Sequence, residues 1–561
     1  MCVAMILAIC AALFLFLKRV VYPDNSFDTL NYHFFLGQEG FNNFPYQFKS
    51  NEFFPLGMHG FIPFFDMIGC FFYSFFGYRL GTLPSILSII GYMIIGYLII
   101  KKITVDYTKK NSISFLMVAL LIFPVFITQE GIFQTATYFT DNLYAFVSML
   151  FLYLSLKFTD EKRNKMIIYY ILGLGFLAGL LATKLTNIIY VIPFSLFLMY
   201  EIYEKNKNGK FRINAKMIWL TTIYILIILL INFQIFFNFF RTGNPIFPYY
   251  NGIFKSVYYP KTSWPFNCGP KTLSQKIFYP FYAIKNPTML GEVKEMFPDI
   301  KLFIVFFFTL LSFFFLLIKK RRFSKLEWAL LFIYFSSFFL WQIEFGYSRY
   351  GIFLEILGGI ISISLILKIF SEKKGRLLSG VFSFLYIAYM LYQSINIFLF
   401  NYQYDISWRP TPSIDEWGKM IMSPEFFYKY TIVNKKIKKE MNNADIVIQC
   451  VNPSSGYFST IKELKDKPML NFDRGSNGDL TTNENYKSKR DLLAINSIGS
   501  KTLNFAIVFD GNKSPYNKDY EKCLSALKYN GIVPDKQFTI DNFIGNKNNL
   551  LTLLIGKYTP K

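Results

Sequence analysis

KLFIVFFFTLLSFFFLLI (301–318), KKRRFSK (319–325) and LEWALLFIYFSSFFLWQI (326–343) follow one another without interruption. Each apolar run has about the length a helix needs to cross hydrocarbon, roughly 17–25 residues. The connector between them carries five cations and no acid. A bilayer explains both features at once: apolar spans, with a basic loop kept on the cytoplasmic side.

The same pattern recurs along the chain. Of its 561 residues 53% are hydrophobic and 67 are Phe, far from the composition of a soluble domain. The net charge of +23 could suggest nucleic acid, but its placement argues against that partner. Basic clusters fall at 101–110, 157–165, 205–216, 319–325 and 371–376, always between apolar runs, and their 21 cations face only four acids. With these loops cytoplasmic, spans are expected near 1–17, 80–100, 113–128, 141–157, 166–181, 187–203, 217–237, 301–318, 326–343, 351–370 and 378–399. These eleven crossings put the N-terminus in the cytoplasm and everything after 400 outside. The run 1–17 lacks a basic leader and a small-residue cleavage site, so it is expected to stay as an anchor. Lys18 and Arg19 at its outer end go against the charge rule. Gly60 to Phe76 is long enough to span, but Pro63 and Asp66 argue for a re-entrant or interfacial helix.

The expected fold class is therefore a polytopic α-helical membrane protein of about eleven spans, with a small C-terminal α/β soluble domain. Residues 1–400 form the membrane domain, with an outer loop at 18–60 and a long outer segment at 238–300. Residues 401–561 form an extracytoplasmic domain, with β-type runs at 444–450 and 503–509, a helix at 518–529 closed by Gly531 to Pro534, and a loop at 471–489. Six cysteines show no metal spacing, and Cys450 and Cys523 could pair or remain free thiols.

This topology gathers the chemistry-bearing residues on one side. Asp28 precedes Tyr32 by four residues, so on a helix the two share a face, with His33 alongside. A carboxylate there can act as a general base toward a hydroxyl or ligate a divalent metal. The structural alternative is a capping role, since Asp24, Ser26 and Asp28 all sit where a helix could begin. Asp141 stands at the outer end of an apolar run and could equally be a cap. Lys184 lies between two apolar runs, where a cation suits a phosphate, or else snorkels to the interface. Arg349 offers a guanidinium suited to phosphate. Thr242 to Pro248, containing Asn244, reads as a rigid turn above the bilayer.

Together these stretches resemble the multi-pass GT-C glycosyltransferases, in particular bacterial relatives of the protein mannosyltransferases and the aminoarabinose transferases. The matching pieces are the D-x-x-x-Y-H element at Asp28, Tyr32 and His33, the second acidic position at Asp141, and the T-K-hydrophobic-T element ending at Thr186. The T-G-N-P turn around Asn244 and the late Arg349–Tyr350 pair complete them in order. The resemblance implies transfer of a sugar from a polyprenyl-phosphate donor to a glycan, lipid or protein hydroxyl at the outer face of the cell membrane. It casts Asp28 as base or metal-positioning carboxylate, supported by Asp141, with Lys184 and Arg349 on the donor phosphate. The family's paired Asp-Glu after the first span is missing here, and Glu39, Glu52 or His59 could substitute. Metal dependence stays open. A transporter or flippase of a lipid-linked glycan and a glycan polymerase are the competing readings. A flippase is expected to show internal repeats and midplane charges, and neither is evident in the sequence.

Overall fold

The computed structural model describes residues 2–21, 24, 26, 28–43, 64–110, 123–160, 184–208, 215–231, 233–247, 249–256, 269–291, 300–370, 376–403, 435–449, 464, 467, 469–471, 503–510, 532–541 and 550–558.

A helix apolar around its whole circumference is satisfied only by burial. Ile352–Phe370 is such a helix and forms the axis of the bundle. Helices Leu83–Lys110, Asp141–Asp160, Lys301–Ile318, Lys325–Glu344 and Arg376–Gln403 pack around it. Adjacent glycines allow the close approach. A Cβ at Gly358 would lie 2.5 Å from Val305 Cγ1, and one at Gly359 would lie 2.9 Å from Val125 Cγ2.

Among the described residues, five helices are long and apolar enough to cross a membrane: Leu83–Ile103, Leu185–Lys207, Lys301–Ile318, Lys325–Glu344 and Ser348–Ile369. All five lie on expected spans. Cys2–Arg19, Asp141–Asp160 and Arg376–Gln403 are helical on three more. The expected run 217–237 is divided between Ala215–Ile231 and Phe233–Thr242. Most of 113–128 and all of 166–181 lie outside the described residues. Outward-facing Leu87, Ile94, Met199, Phe314 and Phe384 are exposed, as lipid-facing side chains of such a bundle would be.

The segment expected to be re-entrant or interfacial contains the helix Phe64–Leu80, with a left-handed kink at Gly77 (φ 77°). This helix packs along Phe34–Asn43 and leaves Phe71, Phe75 and Phe76 exposed. Arg19 also acquires a physical reason. Its Nη1 donates to the carbonyls of Ile132 (2.6 Å) and Phe133 (3.0 Å) and to Thr135 Oγ1 (2.8 Å), so local acceptors hold the cation that the charge rule disfavours.

Buried charges inside the bundle are paired. Lys301 Nζ lies 2.7 Å from Glu355 Oε1 and donates to the Pro124 and Ile127 carbonyls at 2.6 Å each. At the opposite end of the bundle Lys368 meets Glu327 at 2.8 Å, and the buried Glu201 meets the exposed Lys325 at 2.9 Å. Glu327 also closes a capping box with Ser324 at the start of its own helix.

The C-terminal residues form a five-stranded sheet in the order β2-β1-β3-β5-β4. Here β1 is Ile446–Gln449, β2 Met469–Asn471, β3 Leu503–Asp510, β4 Ile532–Asp541 and β5 Leu550–Tyr558. β1 runs parallel to β2 and β3, whereas β5 is antiparallel to β3 and β4. The two expected β runs are β1 and β3. Ile532 to Pro534, read as a helix terminator, instead opens β4, and a register shift between Pro534 and Lys536 accommodates the proline. The helix expected at 518–529, Cys450, Cys523 and nearly all of the loop 471–489 lie outside the described residues.

Candidate functional site

Two carboxylates, Asp24 and Asp28, precede the turn Thr29–His33, and they divide the work between them. Asp24 is buried and makes the local side-chain bonds. Its Oδ1 accepts from the Ser26 N–H (3.0 Å), and its Oδ2 accepts from Thr29 Oγ1 (2.6 Å) and from the Tyr138 N–H (2.8 Å). Tyr78 donates its hydroxyl to the Asp24 carbonyl at 2.8 Å. These bonds pin the 24–29 stretch onto the loop that leads into Asp141.

Asp28 occupies the cap position of Thr29–His33 but makes no side-chain capping bond. Its carboxylate reaches across the site instead, where Arg349 Nη1 lies 2.6 Å from Oδ2. Thr29–His33 is a π-helical turn, with the Phe34 N–H bonded to the Thr29 carbonyl five residues back. Such widened turns often occur at functional sites. Tyr32 hydrogen-bonds the Asp28 carboxylate, as its spacing predicts.

Asp141 begins the helix Asp141–Asp160 and is buried. Lys184 Nζ is 3.0 Å from its Oδ1, and Arg349 Nε is 3.1 Å from its Oδ2. The second contact is an ion pair without hydrogen-bond alignment. Asp28, Arg349, Asp141 and Lys184 thus form an alternating chain of two carboxylates and two cations. Aromatic rings enclose it. Lys184 Nζ lies 4.5 Å from the Tyr350 ring centroid and 5.4 Å from that of Tyr144, and Arg349 Cζ lies 5.0 Å from that of Phe139. Lys184 therefore turns inward, with only 15% of its side chain exposed, rather than snorkelling outward. Ser348 donates to Glu130 at 2.6 Å beside the chain of charges.

A second polar pair adjoins the first. His33 Nδ1 lies 2.7 Å from Asp66 Oδ1, and both side chains are buried. From sequence, His33 is expected alongside Asp28, and Asp66 only argues against a clean crossing. The two are 33 residues apart and meet because Phe64–Leu80 packs on Phe34–Asn43.

The electrostatics follow from this geometry. Burial opposes ionisation of Asp28, but the Arg349 charge and hydrogen bond, with His33 and Tyr32, hold its carboxyl below the usual value of 3.8. Burial, then the nearby Asp28 charge, pushes Tyr32 well above its ordinary value. Burial also raises Asp66, against the opposing pull of His33.

The remaining expected residues are placed differently. Asn244 spends its amide within its own turn, donating to the Tyr249 carbonyl (2.9 Å) and accepting from the Ile246 N–H (3.0 Å). Gly243 beside it adopts φ +74°, which favours glycine. Glu52 and His59 lie outside the described residues. Among the described residues, no group of three His, Cys, Asp or Glu gathers to hold a metal ion. The carboxylates of Asp28 and Asp141 face a guanidinium instead.

No protein-family profile and no curated protein matches this sequence. Solved structures do match in fold. ArnT from Cupriavidus metallidurans aligns in its apo state and in its complex with undecaprenyl phosphate, each with a TM-score of 0.50 and 10% identity. Each alignment covers 98% of this chain and 97% of ArnT. The likeness is one of fold alone. With the apolar helices described above, it makes this chain a multi-pass membrane protein.

Proposed function

We propose that this protein transfers a sugar from a polyprenyl-phosphate-linked donor to an acceptor hydroxyl at the outer face of the membrane. The observation that carries this reading is the ion-paired chain Asp28–Arg349–Asp141–Lys184, set in a bundle with the fold of ArnT. A lipid phosphate is the ligand best suited to compete with two carboxylates for the same two cations. Lys184 and Arg349 then hold the donor phosphate and neutralise the charge that grows on it as the sugar departs. Asp141 keeps both cations in place. Asp28, with Tyr32 beside it, meets the acceptor.

Of the two roles open to Asp28, base or metal-positioning carboxylate, the lowered pKa that Arg349 gives it speaks against the base. No step here is routed through a metal, because the described carboxylates face cationic side chains.

The proposed topology has eleven spans, the N-terminus in the cytoplasm, and 401–561 as an extracytoplasmic domain built on the five-stranded sheet. The basic clusters at 101–110, 157–165, 205–216, 319–325 and 371–376, taken as cytoplasmic, support this orientation. The test pairs binding with accumulation. Undecaprenyl phosphate should raise the melting temperature of the purified protein, and cells lacking it should accumulate one lipid-linked sugar, identifiable by mass spectrometry. Absence of both would sink the proposal.

A further inference from the structure

Arg349 leaves Asp28 a poor proton acceptor, yet a hydroxyl that attacks a sugar must lose its proton. The geometry points to His33 as the group that takes it, with Asp66 as the residue that orients the imidazole. This inference rests on the transferase reading above.

His33 closes the π-helical turn Thr29–His33. With hydrogen bonds reaching five residues back, positions five apart come into line, which brings His33 onto the side of Asp28. The rings of Tyr32 and His33 lie 4.2 Å apart, and Tyr32 in turn bonds Asp28. On its other side His33 lies 5.6 Å from Phe139, the ring that also underlies Arg349.

Asp66 fixes the tautomer. With Asp66 ionised, its oxygen 2.7 Å from Nδ1 draws the proton there and leaves a lone pair on Nε2. Nε2 is buried and has no hydrogen-bond partner among the described residues. A buried ring nitrogen without a partner is costly and calls for a role. A carboxylate behind an imidazole with its far nitrogen free is the arrangement of a general base. In the reaction, the acceptor O–H proton passes to Nε2 and the oxygen forms its bond to the anomeric carbon. The bond from that carbon to the phosphate oxygen breaks, and its electron pair leaves with the lipid phosphate.

The test uses the full-length protein in proteoliposomes with its lipid-linked donor and acceptor. His33→Asn keeps an N–H directed at Asp66 while removing Nε2. We expect its kcat to fall by about 100-fold or more, with the affinity for undecaprenyl phosphate unchanged within about twofold. Imidazole in the medium should restore part of the rate to His33→Ala. Asp66→Asn, which can present an N–H to Nδ1, should also lose kcat without losing phosphate affinity. It carries the test alone if the His33 variants do not fold. A His33→Asn rate within about threefold of wild type overturns the inference, as does a parallel loss of phosphate affinity. If the wild-type protein transfers no sugar, the transferase reading fails instead, and the two failures are thereby distinguished.

Discussion

Arg349 Nη1 and Asp28 Oδ2 meet at 2.6 Å across 321 residues of chain. That contact decides between the two roles open to Asp28 from sequence, a helix cap or a site carboxylate. Asp28 stands at the cap position without a capping bond, Asp24 makes the local bonds, and Asp28 is left to face the charges gathered from three other parts of the chain.

Asp28→Asn removes the charge and keeps the shape. Sugar transfer should fall at least 100-fold by the usual worth of a charged group at such a site, roughly 3 kcal/mol. Expression and membrane insertion should be unchanged, because Asp24 retains its three side-chain bonds. Product formation by membranes containing the variant is the measurement, and normal product would remove Asp28 from the reaction.

Lys184→Met and Arg349→Gln each leave Asp141 with one cation. If both cations hold the donor phosphate, each variant should weaken undecaprenyl phosphate binding by about 10- to 100-fold, the value of roughly one charge-assisted contact. Titration of the purified variants followed by thermal shift reads this directly. Unchanged affinity in both would move the phosphate elsewhere.

Much of the bundle was legible because length and apolar composition are local properties. The run 301–318, bounded only by its charges, coincides with the helix Lys301–Ile318. The cluster was legible in part, since the charge of the loops placed Asp28, Asp141, Lys184 and Arg349 on one side. The pairing of His33 with Asp66 was not, because it depends on two helices packing rather than on any spacing. Nor could sequence separate Asp24 from Asp28, since both sit where a helix could begin and the distant Arg349 and Tyr138 distinguish them. β4 is not legible in the sequence, where Gly531 to Pro534 reads as the close of a helix.

Asp24→Ala should act on stability first. It strips partners from Thr29 Oγ1 and from two backbone N–H groups within a buried loop, at a cost of about 2–4 kcal/mol. The melting temperature should drop, while undecaprenyl phosphate affinity in the remaining folded protein should stay close to wild type. A variant that melts normally would mean that the loop finds other partners.

Lys301 and Glu355 allow a sharper comparison, since both are buried in the bundle. Lys301→Met leaves a carboxylate and two carbonyls without their donor, whereas Glu355→Gln leaves the lysine its two carbonyls. Breaking a buried pair costs about 3–5 kcal/mol, so both variants should melt earlier, Lys301→Met by the larger margin. Equal shifts would show that the Pro124 and Ile127 bonds contribute little.

Acid titration separates Asp28 from Asp66 by sign. Asp28 has a folded pKa below its ordinary 3.8, so the stabilisation it contributes is complete above that value and is lost as pH falls through the folded pKa. Asp66 has a raised folded pKa, so its contribution is complete below 3.8 and is lost as pH rises through the raised value. Melting temperatures of wild type, Asp28→Asn and Asp66→Asn across about pH 3 to 7 test both signs. The advantage of wild type over Asp28→Asn should be steady near neutrality and shrink in acid, because the Arg349 pair then loses its charge. Relative to wild type, Asp66→Asn should gain as pH rises, because its neutral amide avoids burying a charge. A wild-type advantage over Asp28→Asn that persists undiminished to about pH 3 would mean that Arg349 does not need the ionised carboxylate. The pair would then be a packing contact rather than the charge balance on which phosphate competition depends.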